Sequence, residues 1–128
     1  MVINIIQANV NIEDEIPKMI YNGANFGIPL HFLDEFNMPT TPLTLTYTIF
    51  NDAGMVSTYS PITEHTEELK DNPDPEPVTS YVIEISKEDN TIVDNLEERR
   101  ILVEWTYARD DFTTGKSIQE FYYAIEQP

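Results

Sequence analysis

The chain has 128 residues, 23 acidic against 7 basic and no cysteine, for a formal net charge of −16. Phosphate binding needs clustered lysine and arginine, so this balance opposes direct contact with nucleic acid or anionic lipid, and without cysteine no disulfide or thiolate metal site can form. A chain of this size buries roughly 65 to 70% of its unfolded surface, which is enough for one domain over residues 1–128, and 41% hydrophobic residues favour a packed core over disorder.

Val2 to Val10 is apolar-rich and reads as a strand. Its first residues lack the basic start and cleavage site of a signal peptide, and no run approaches about 18 apolar residues, so the expectation is a soluble chain made in a cytosol. Ile12 to Tyr21 fits either a short helix with Pro17 in its first turn or a loop entering a strand. Phe26, Ile28, Leu30 and Phe32 alternate with smaller or polar residues, and Pro29, which lacks an amide donor, predicts an edge strand there. Leu43, Leu45, Tyr47 and Ile49 form an inward set opposite Thr44, Thr46, Thr48 and Phe50. Asn51-Asp52-Ala53-Gly54 then turns the chain, and Met55 to Tyr59 returns as the hairpin partner.

Residues 61–79 crowd acids with Pro61, Pro73, Pro75 and Pro77, predicting a long solvated loop. Tyr81, Ile83 and Ile85 mark another strand, broken by Lys87-Glu88-Asp89-Asn90. Thr91 to Asp94 fits a capping box leading a short helical turn to Glu98. A hairpin closes the pattern: Ile101, Val103, Trp105 and Tyr107 alternate along one strand, and Phe121, Tyr123 and Ile125 along the next, across a turn from Arg109 to Lys116. Seven to eight short strands with one or two helical turns describe an all-β antiparallel sandwich.

Chemistry is less sharply written. A serine nucleophile needs a histidine base, and only His31 and His65 exist, the latter near Ser57 and Ser60 but without a strained-turn signature. Carboxylates suited to calcium cluster at Asp110 and Asp111, and at Asp71, Asp74 and Glu76, yet neither group has the spacing of a dedicated loop; a turn and a solvated linker account for them, and no cofactor or metal is expected. Trp105, Tyr107, Tyr81, Tyr47, Phe121 and Tyr123 fall on inward positions and read as core. Phe50, Tyr122 and Phe112 point outward or sit on a turn, which makes them candidates for a protein interface, with packing under a crossing loop as the equal alternative.

The run Pro42 to Gly54, followed by Arg100 to Tyr107 and by Phe121 to Ile125, resembles the small immunoglobulin-like β-sandwich proteins of tailed-phage virions. The resemblance covers about two thirds of the chain and lies in its general pattern, a strand ending in a polar turn and then a late Tyr-rich hairpin. It implies a non-enzymatic adaptor or structural module of the capsid, neck, head-to-tail connection or baseplate. Such a module binds other virion proteins or copies of itself, has no small-molecule substrate, and is assembled in a host cytoplasm. The departures are a missing cysteine pair, a Trp105 on a late strand and no tyrosine corner. Two other functions compete: an acidic mimic of DNA that inhibits a nucleic-acid-binding enzyme, and a carbohydrate-binding sandwich with Phe112 and Tyr122 on one open face.

Overall fold

A computed structural model describes residues 9–12, 18–63, 79–109 and 113–127. They form eight strands and no helix: β1 (Asn9–Ile12), β2 (Met19–Tyr21), β3 (Phe26–Leu33), β4 (Pro42–Asn51), β5 (Gly54–Ile62), β6 (Ser80–Ile85), β7 (Leu96–Ala108) and β8 (Thr114–Glu126). Three strands make one sheet in the order β1-β3-β6, and five make a second in the order β2-β8-β7-β4-β5.

The all-β expectation holds, but the sheets are not wholly antiparallel, because β2 runs parallel to β8 with Met19 opposite Ala124 and Tyr21 opposite Glu126. The predicted helical turns are absent among the described residues. Of the two readings of Ile12 to Tyr21, Met19 to Tyr21 follows the strand, while residues 13–17 lie outside the described residues. Thr91 to Glu98 does not coil either. The Ile92 amide donates to Asn22 Oδ1 at 2.8 Å, and the Asn95 carbonyl accepts from the Gln127 amide at 2.9 Å. From Leu96 the chain pairs with β8. Cross-strand partners thus satisfy the groups that a helical turn would have used.

Period-two alternation sets the core. Ile28, Leu30 and Phe32 of β3 and Ile83 and Ile85 of β6 face Leu45, Tyr47 and Ile49 of β4, Ile101, Val103, Trp105 and Tyr107 of β7, and Tyr123 and Ile125 of β8 in one buried cluster. Rings cross between the sheets: Phe32 meets Trp105 edge-on with centroids 4.9 Å apart, and Phe26 meets Tyr123 at 5.1 Å. Leu43 is the exception to the predicted inward set. A register shift between Pro42 and Thr44 leaves it half-buried and gives the inward place to Pro42.

Pro29 does not mark an edge, since β3 lies between β1 and β6. Phe32 donates its amide to the Thr79 carbonyl on the β6 side, 2.9 Å away, so alternation turns the Pro29 nitrogen toward β1. The described β1 register ends at Ile12 opposite Leu30, one residue short of Pro29. The missing donor therefore interrupts none of the described β1–β3 pairs.

A polar knot closes one end. Asn90, fully buried, donates from Nδ2 to the Ala24 carbonyl at 2.7 Å and accepts the Tyr123 hydroxyl on Oδ1 at 2.8 Å. Its neighbour Asp89 accepts hydroxyls from Ser57, Tyr59 and Ser86, and its carbonyl takes the buried Arg99 guanidinium at 2.7 Å. Arg99 also pairs with Glu97, so its charge is both neutralised and hydrogen-bonded, as a buried cation requires.

Candidate functional site

The inner face of the five-stranded sheet is spent on the core, so of this sheet the outer face is the one left for contacts. The Asn51 carboxamide oxygen accepts the Ala53 and Gly54 amides at 2.9 and 3.1 Å, which holds the two-residue turn between β4 and β5. Gly54 adopts φ +133°, open to glycine and costly for other residues. Beside this turn the registers set Met55 opposite Phe50, Phe50 opposite Arg100, and Arg100 opposite Tyr122. Four strands thereby line up one transverse row of thioether, ring, guanidinium and ring.

The row is held from within. The Arg100 guanidinium carbon lies 4.5 Å from the centre of the Phe50 ring, a cation–π contact, and Nη1 is 3.4 Å from Glu120. The Tyr122 hydroxyl donates to the same carboxylate at 2.6 Å, a bond that raises the phenol pKa above its ordinary value. Met55 and Tyr122 are 63% and 64% exposed, whereas Phe50 is half-buried under Arg100. A shallow cleft of about 410 Å³ opens alongside, lined by Phe50, Asp52, Ala53, Glu98, Arg100 and Tyr122. A second, of about 480 Å³, lies across the turn between Met55, Val93 and Asp94.

The structure thus brings Phe50 and Tyr122 into one row, while Phe112 lies outside the described residues. The sequence pattern alone did not single out Arg100 and Met55, and the pairing of Arg100 with Tyr122 comes from the β7–β8 register. Beyond the row, β4 and β5 carry a band of hydroxyls bonded among themselves and to β7, with Thr44 to Thr106 at 2.6 Å, Thr46 to Ser60 at 2.9 Å and Thr48 to Thr58 at 2.9 Å, while β7 and β8 add the Glu104–Lys116 pair and an exposed Ile118. The hydroxyl contacts are internal, which leaves the row as the place on this face where an arginine lies beside aromatic rings.

Among the described residues the serine and histidine candidates do not assemble. Ser57 gives its hydroxyl proton to Asp89, Ser60 pairs with Thr46, and His31 sits on β3 in the opposite sheet. His65, Asp71, Asp74, Glu76, Asp110 and Asp111 fall outside the described residues, among which no group of three His, Asp or Glu could hold a metal ion. The chain matches no family model, no curated protein and no solved structure.

Proposed function

We propose that the chain is an immunoglobulin-like β-sandwich of variable type that acts as a non-enzymatic adaptor or structural module of a phage virion, docking on other virion proteins through the outer face of its five-stranded sheet. The observation that carries the contact reading is the outward row Met55, Phe50, Arg100 and Tyr122, exposed at Met55 and Tyr122, because methionine, tyrosine and arginine are the side chains enriched in protein interfaces.

Strand order supports the fold assignment. In immunoglobulin lettering, β1-β3-β6 follows A-B-E, and β8-β7-β4-β5 follows G-F-C-C′ with β2 added beside G. The Phe32 and Trp105 rings, on the B and F positions, meet where antibody domains place their disulfide between sheets. The corner between β6 and β7 is tied by Asn90 rather than by a tyrosine, and no D strand occurs among the described residues.

The acidic-mimic reading is weaker on this face. Glu120 and Glu104 are paired with Arg100 and Lys116 at 3.4 Å each, so they do not stand as a free phosphate-like row. Sedimentation of a native lysate tests the proposal. The chain is expected in particle fractions, and Arg100→Ala with Tyr122→Ala is expected to shift it to the top while leaving the fold intact. Recovery of the unaltered chain only at the top would refute the virion reading, and salt-sensitive capture by DNA-binding enzymes would favour the mimic.

A further inference from the structure

Four strands end the two sheets: β1, β6, β2 and β5. They measure four, six, three and nine residues respectively, so β5 is the longest open edge among the described residues. It also carries no charged side chain, although the chain holds 30 acidic and basic residues. Natural edge strands are usually guarded by charge, and β6, for instance, has Glu84 exposed. In β5 the guards are Pro61 and register shifts on either side of Ser57–Tyr59, and these shorten the pairing window without closing it.

The backbone in that window faces outward. Tyr47 pairs with Tyr59 and turns its carbonyl toward β5, where it meets the Thr58 hydroxyl at 3.5 Å. By alternation, Thr48 and Thr58 point their peptide groups away from each other, so the Thr58 amide and carbonyl lie on the free edge. Around them Thr58 is exposed, and Tyr59 remains 39% exposed even though its hydroxyl reaches Asp89.

We propose that β5 pairs antiparallel with β5 of a second copy of this chain, about a two-fold axis through Thr58, joining two five-stranded sheets into one. The occupant follows from self-complementarity and charge. The axis sets Thr58 against Thr58 and Ser57 against Tyr59, with no like-charged β5 side chains opposed; the nearby Asp89 carboxylate is held by the Ser57 and Tyr59 hydroxyls of its own chain, so two chains of charge −16 meet along a strand that carries no charge of its own. Because the remaining surfaces repel, added salt tightens the pair, whereas it would loosen a complex with a basic partner. This inference stands apart from the virion reading and is tested on the purified chain alone.

The measurement is sedimentation equilibrium across chain concentration at low and high salt. A monomer–dimer equilibrium is expected, with the dimer favoured at high salt and weakened at least tenfold by Thr58→Lys, while Tyr122→Ala leaves it unchanged. Thr58→Cys supplies a single cysteine on the axis; hydrogen-bonded strand partners sit at a Cα spacing of about 5.5 Å, within disulfide reach, so mild oxidation should give a covalent dimer. A monomer at every concentration, an assembly larger than a dimer, dimerisation that persists in folded Thr58→Lys, or failure of the Thr58→Cys chain to cross-link would each overturn the proposal.

Discussion

Asn90 offers the sharpest test of how the two sheets are joined. In Asn90→Ala the Tyr123 hydroxyl, on a residue 3% exposed, loses its acceptor, and the half-exposed Ala24 carbonyl loses its donor. A stranded buried hydroxyl costs about 1–3 kcal/mol and a bond that water can replace about 0.5–1.5 kcal/mol, so the substitution should destabilise by about 2–4 kcal/mol. That is a large share of the roughly 5–15 kcal/mol expected for a domain. Tyr123→Phe alone strands Asn90 Oδ1 and should cost about 1–3 kcal/mol. In the double variant neither partner is stranded, so its cost should fall below the sum of the singles by about 1 kcal/mol or more. Urea titration followed by fluorescence of Trp105, the single tryptophan, reads all three. An Asn90→Ala chain within about 0.5 kcal/mol of the parent, or additive singles, would refute the reasoning.

Gly115 lies opposite Tyr107, and a Cβ there would sit 2.4 Å from two atoms of the ring. Gly115→Ala should therefore cost about 1–3 kcal/mol by overpacking, and Tyr107→Val in the same chain should recover part of it; an unchanged thermal melt for the single variant would contradict this. Burial pushes the phenols of Tyr47, Tyr107 and Tyr123 up to about 12, and the bond from Tyr107 to Glu35 adds to its rise. In the unfolded chain these groups ionise near pH 10, so the folded state binds more protons between the two values. Stability is intact below about pH 10 and declines as the pH climbs toward 12. Tyrosinate absorbance rising in step with unfolding checks this, and full titration of all three near pH 10 in a folded chain would exclude it.

Sidedness made most of the core legible, because a two-residue period needs only local reading: the inward sets of β3, β6, β7 and β8 are those the alternation marks. The failures have non-local causes. Pro29 forces an edge only where a ladder bond would be due at its nitrogen, and the extent of β1 cannot be read from residues 26–33. Thr91 to Glu98 has helix-like spacing, but pairing with β8, about thirty residues away, captures the segment from Leu96 onward. Met19 to Tyr21 is too short for a period, and its partner lies about a hundred residues further along. At the site, Phe50 and Tyr122 were legible as outward aromatics, whereas their alignment through Arg100 depends on the register between β4 and β7, which no local pattern specifies.

The position of β8 has a kinetic consequence. It is the latest strand in the chain, yet it lies inside the sheet, holding β7 on one side and β2 on the other. A nascent polypeptide lacking it has β4 to β7 available but leaves the long flank of β7 uncovered and gives β2 nothing to join. Closure must await synthesis through residue 126, and the entropy of bringing Met19 to Ala124 makes that parallel docking a late event.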